Sequence, residues 1–166
     1  MATWMLMELI RDPPLLQVVR AEMMQAFKVD DRTGQYRLNA QTLLSMPITQ
    51  SVYTETLRMH ISFNATREVM RDIWIGGYYV RKGSILQSPT QLAHYDEAVW
   101  GTVDHPAAEF WAARHLTYAE TIDAMGNVTT KPQFSMHARP TSFFPFGEYF
   151  SMHLFFTISY CTAFGS

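Results

Sequence analysis

The sequence predicts a mixed α/β fold, mainly helical, with short β-sheets. From Ala2 to His60, apolar residues recur at helical spacing. From Asn64 to Leu86, β-branched and aromatic residues are punctuated by Gly76-Gly77 and Lys82-Gly83, the texture of short strands joined by tight turns. From His94 to Pro145 the periodicity fades. Pro106, Gly126, Pro132 and Pro140 punctuate that stretch, which is expected to be mostly irregular.

Composition bounds the function. The chain has 166 residues, 48% hydrophobic and 17% charged, enough to bury a core and too apolar for global disorder. A formal net charge of -2 gives no basic excess for nucleic acid. The single cysteine, Cys161, excludes an internal disulfide framework and a zinc site of several thiolates. Eleven methionines and 14% aromatic residues predict a large apolar cavity, or a core shared with further chain.

The elements follow in order. Ala2 to Arg11 reads as the late turns of a helix. It has no basic region before its apolar residues, and Glu8 and Arg11 interrupt it, so no secretory signal is expected. Asp12 before Pro13-Pro14 is an acidic N-cap with proline in the first turn. Leu15, Leu16, Val18, Val19, Met23, Ala26 and Phe27 then form an apolar stripe, which predicts a helix to about Lys28. A polar turn, Asp30-Asp31-Arg32-Thr33-Gly34, follows, then a short helix over Gln41 to Ser45. Pro47 opens a helix to about His60, with Ile48, Val52, Leu57 and Met59 for its buried faces. Ala65 to Val69 reads as a strand, Ile75 to Leu86 as a hairpin, and Pro89 to Ala93 as a helical turn. Tyr149 to Ser166 lacks Asp, Glu, Lys and Arg, but Ser, Thr, His and Gly dilute it, so no membrane span is expected. The sequons at Asn64 and Asn127 read as chance matches.

Read one at a time, the chemical signals are weak. Glu55 and Arg58 share one helical face, and the local reading is a solvated surface pair. Arg67 on a strand could grip a ligand carboxylate through its planar fork; locally, a pairing with Glu68 or Asp72 is favoured. No phosphate-binding glycine loop, nucleophile elbow or zinc-helix motif occurs. None of the 6 histidines stands four residues from another, so no metal site within one helix is indicated.

In order, these signals form a series. Glu55-x-x-Arg58 is followed by Arg67, the IGGYYVRKGSI segment, HYDEAVWG from His94, EFWAARH from Glu109, and SFFPFG from Ser142 to Gly147. The series closely resembles the C-terminal part of cytochrome P450 proteins. Its FWxxR and SFFPFG style looks like fungal members related to sterol 7α-hydroxylases.

That resemblance implies a partial P450 fold: helices, then β-hairpins and a meander. Residues 1–147 would form the family part, beginning with the end of the haem-crossing helix, and residues 148–166 a divergent tail. Glu55, Arg58 and Arg114 would form a buried structural triad that orders the long irregular stretch. Arg67 would pair with a haem propionate, and Ile61 to Ala65 would lie nearest the substrate. Phe146 and Gly147 would begin the haem loop.

Two departures bear on chemistry. Where the family has Pro-Glu-Arg-Phe, this chain has Ala112-Ala113-Arg114-His115, which keeps the arginine and loses the aromatic anchor. Where the haem loop places Gly, Cys and Gly, it has Tyr149, His153 and Phe155. Cys161 stands in an unrelated context. A thiolate pushes electron density onto haem iron to favour O–O cleavage; histidine gives globin- or peroxidase-like electronics.

The resemblance therefore implies a haem-thiolate monooxygenase that hydroxylates a lipophilic small molecule with an NADPH-dependent reductase. Family members often reside at the endoplasmic reticulum, but the chain shows no signal or anchor that would localise it. The chain itself is expected to be a truncated, inactive piece, its tail arising from intron read-through or a frameshift. Two other readings stay open: a non-enzymatic helix-plus-hairpin binding module, and a haem binder ligated by His153.

Overall fold

The structure is a computed structural model that describes residues 1–29, 32–122, 128–136 and 142–145. The fold is mixed α/β, with helices followed by short antiparallel strand pairs, as the sequence predicts. The described residues divide into two units. One is drawn from Met1–His60 and Ala108–Pro140, the other from Ile61–Ala107 and Thr141–Ser166.

In the first unit, α1 (Ala2–Arg11) ends at Asp12, and α2 (Pro13–Met24) begins there. The Asp12 carboxylate accepts from the Leu15 N–H at 3.0 Å, so one residue separates the helices and caps the second. Prolines in the first turn of α2 cost no hydrogen bond, because those N–H groups lack helical acceptors. A helix to Lys28 is not what forms. α2 stops at Met24, and Phe27–Val29 becomes β1, antiparallel to β2 (Tyr36–Leu38). The polar turn after it contains Gly34 at φ 65°, which lets the chain double back. Phe27–Val29 instead takes its backbone partners from Tyr36–Leu38.

Asn39 caps α3 (Ala40–Leu44), accepting from the Thr42 N–H at 3.0 Å. Then α4 (Pro47–His60) runs the length expected. Its first turn is capped from another helix. The Glu22 carboxylate on α2 accepts from the Ile48 and Thr49 N–H groups at 3.0 and 2.6 Å, and from the Thr49 hydroxyl at 2.7 Å. An anion at a helix N-terminus satisfies stranded donors and complements the helix dipole. Glu22→Ala should therefore cost about 1–2 kcal/mol, read as a lower urea midpoint at unchanged slope. Leu9, Val19 and Val52 form the core, with Met5, Leu16, Met23, Ile48 and Phe110 packed against it.

After the 3-10 turn Ala112–His115, a hairpin forms from β7 (Leu116–Ile122) and β8 (Val128–Phe134). The irregular stretch expected from His94 to Pro145 thus contains regular structure. Pro132 hides it: proline interrupts a strand pattern, yet a two-stranded sheet tolerates it opposite Tyr118.

In the second unit, β3 (Asn64–Glu68) pairs with β6 (Ile85–Pro89), and β4 (Ile73–Ile75) with β5 (Tyr78–Val80). The hairpin expected over Ile75 to Leu86 is therefore corrected. Its tip is Gly76-Gly77, with φ 55° and 86°, the geometry of a type I′ turn that glycine adopts freely. But β6 turns away from β5 and returns to β3. The excursion is closed by Val69 N–H to the Ser84 carbonyl at 2.9 Å and Gly83 N–H to the Val69 carbonyl at 2.7 Å. Two short helices follow, α5 (Thr90–His94) and α6 (Glu97–Trp100). Among the described residues of this unit, Val69, Trp100, Ala107 and Phe143 are buried hydrophobic side chains.

Candidate functional site

A buried ionic cluster stands at the centre of the first unit. α4 brings Glu55 and Arg58 to one face, and the Ala112–His115 turn brings Arg114 and His115 against them. All four are buried, with Glu55 at 0% and Arg58 at 1% exposure, so the surface-pair reading of Glu55 and Arg58 is corrected. The reason lies outside the helix. The Glu55 carboxylate accepts from Arg58 Nε at 2.9 Å, Arg58 Nη2 at 2.8 Å and Arg114 Nε at 2.9 Å. Trp111 N–H adds a contact at 3.2 Å, and His115 Nε2 lies 3.0 Å from the second oxygen. Both carboxylate oxygens are thus satisfied by several donors, which offsets the cost of removing the charges from water.

The Glu109 carbonyl accepts from Arg58 Nη2 at 3.2 Å and Arg114 Nη2 at 3.0 Å, so both guanidiniums also hold the approach to the turn. Arg114 lies over the Trp111 ring, 5.5 Å from its centroid. Burial alone would raise the Glu55 carboxyl. Hydrogen bonds from Arg58 and His115, with the charges of both, outweigh it and lower the pKa from 4.5 to about 2.

His115 is the member that sequence reasoning missed. Its departure from the family's phenylalanine reads as a lost aromatic anchor. In the structure its ring stays buried against Phe134, 6.3 Å between centroids, while Nε2 reaches Glu55. A second group also escaped notice. Glu8 on α1 contacts His60 Nε2 at 2.8 Å and Arg11 Nη1 at 3.2 Å, and Trp4 stacks on His60 at 4.5 Å. The i, i+4 spacing of Trp4 and Glu8 was legible; the partner at the far end of α4 was not.

Arg67 lies on β3, opposite Leu86, with its side chain exposed. The local pairing with Glu68 or Asp72 does not form. Arg67 Nη1 donates to the Thr66 carbonyl at 3.0 Å, and Asp72 instead accepts from the Tyr79 hydroxyl and the Lys82 N–H, each at 2.7 Å. Among the described residues its guanidinium has no carboxylate partner. Phe146, Gly147 and His153 lie outside the described residues, as do Cys161 and the tail. Among the described residues no cluster of His, Cys, Asp and Glu could hold a metal ion, and no helix is long and apolar enough to cross a membrane.

The sequence model described as Cytochrome P450 matches residues 2–147. The chain is 47% identical over 147 residues to cytochrome P450 monooxygenase calL of Penicillium decumbens, covering 89% of this chain and 26% of that protein. It is 27% identical over 165 residues to cytochrome P450 monooxygenase efuG of Hormonema carpetanum, covering 88% and 29%. With cytochrome P450 monooxygenase fsoE of Humicola fuscoatra it shares 28% identity over 163 residues, covering 88% and 28%. The chain therefore spans less than a third of the length of these relatives. By the extent of the family match, this chain belongs to the cytochrome P450 family.

Proposed function

We propose that residues 1–147 are the structural portion of a haem-thiolate monooxygenase domain acting on a lipophilic small molecule, and that residues 148–166 are a divergent segment. The observation that carries this reading is the Glu55 carboxylate, enclosed by Arg58 and Arg114 at 2.8–2.9 Å. Such a cluster locks an irregular segment onto α4, a structural task suited to a cofactor scaffold. Haem is the family's cofactor, and when bound it supplies the oxygen chemistry. This chain's residues would do the holding. Glu55, Arg58 and Arg114 fix the turn at Ala112–His115, and Arg67 offers a guanidinium to a propionate. The FWxxR and SFFPFG style supports a relation to the fungal members akin to sterol 7α-hydroxylases, and a NADPH-dependent reductase is the matching electron source.

At the position matching the thiolate stands His153, so we infer that this chain alone does not catalyse oxygen insertion. Two spectra test the reading. Haem added to the chain, then reduced and exposed to carbon monoxide, should give no thiolate-type Soret band; such a band refutes the inactivity. A chimera carrying residues 2–147 in place of the matching part of the Penicillium decumbens relative, with that relative's cysteine loop kept, should show the band. A chimera that folds without haem refutes the scaffold role.

One observation favours a second reading, the binding module. Met70, Trp74 and Tyr78 around the Gly76-Gly77 hairpin are 73%, 71% and 77% exposed.

A further inference from the structure

The second unit contains a buried histidine that the triad does not use. His94 closes α5 and is 0% exposed. Its helix is held at both ends. Thr90 Oγ1 accepts from the Phe63 N–H at 2.9 Å, while the Thr90 N–H donates to the Phe63 carbonyl at 2.9 Å. At the other end, the Trp100 indole N–H donates to the Ala93 carbonyl at 2.7 Å. A helix this short has little stability of its own, so these tertiary contacts decide where the His94 ring stands.

Phe143 and Phe144 pack on that ring, with centroids 5.7 and 5.9 Å away, and Trp100 meets Phe143 edge-on at 6.2 Å. Ring packing holds a segment close but allows it to slide and rotate. A directional contact removes that freedom, and the backbone N–H of Phe144 lies 3.2 Å from His94 Nε2. Since the amide can only donate, Nε2 must be the bare nitrogen, which puts the imidazole proton on Nδ1.

We propose that His94 is a positioning residue: its Nε2 accepts the Phe144 N–H and sets the orientation of Ser142–Pro145, the described residues that lead into Phe146-Gly147. Its meaning for haem rests on the reading of Phe146-Gly147 as the start of the haem loop. The anchor itself needs no haem, so the two fail separately.

The test uses the full chain without haem. Nitrogen-15 spectra of its imidazoles should show His94 neutral, with Nδ1 protonated and Nε2 bare; a protonated Nε2 sinks the proposal even if every variant misfolds. His94→Leu should speed hydrogen exchange of the Phe144 amide about tenfold, as expected for losing one hydrogen bond. His94→Gln, which offers a carbonyl acceptor, should restore most of that protection. Equal exchange in all three proteins overturns the proposal. If the anchor behaves as expected while the chimera described above takes up no haem, the positioning role stands and only the haem reading falls.

Discussion

Glu55→Ala should cost the chain about 3–5 kcal/mol, because it leaves the buried Arg58 and Arg114 without the carboxylate that compensates them. A domain of this size has only about 5–15 kcal/mol to lose, so the cooperative urea transition should shift steeply or vanish. An unchanged midpoint would mean that the cluster does not order Ala112–His115.

Acid should reach the same contact by titration. The folded pKa of Glu55, about 2, lies below its ordinary 4.5. Its contribution is therefore complete above about pH 4.5, falls as the pH drops towards 2, and is lost below that. The shift corresponds to about 3 kcal/mol. Unfolding measured across that interval should be steeply pH-dependent in the parent and flatter in Glu55→Gln. Parallel profiles would contradict the assignment.

Trp100→Ala should be the most damaging change in the second unit, at about 3–5 kcal/mol. The side chain is fully buried, and its indole N–H is matched by the Ala93 carbonyl at 2.7 Å. Truncation opens a cavity beside Phe143 and leaves that carbonyl without its indole donor. Trp100→Phe keeps much of the apolar contact and loses the hydrogen bond, so about 1–2 kcal/mol is expected. Thermal unfolding of the three proteins should rank them parent, Phe, Ala. A Phe variant as weak as the Ala variant would mean that the hydrogen bond, not the volume, governs the site.

The sequence and the structure agree where local physics decides. α1, α2 and α4 announce themselves by apolar period and by Asp12, Pro13-Pro14 and Pro47, because caps and stripes act within a few residues. The disagreements arise where a partner far along the chain decides. Phe27–Val29 leaves the helix because Tyr36–Leu38 can pair with it, and Ile85–Pro89 crosses back to Asn64–Glu68 past a nearer hairpin. Glu55 and Arg58 look like an ordinary surface pair until Arg114 arrives from another part of the chain. Motif order made that triad legible as a family expectation. It gave no hint of His115, because a residue that departs from a motif carries no pattern to read.

The neck at Val69 and Ser84 has a consequence for how this sequence can vary. Everything that sets the Arg67–Leu86 pairing lies on the β3–β6 side of those hydrogen bonds, and the Gly76-Gly77 tip lies beyond them. Residues gained or lost at the tip lengthen or shorten an appendage without sliding the ladder beneath it. The place of Arg67 on the ladder is thereby insulated from length changes at the tip, so the hairpin can diversify while the arginine keeps its address.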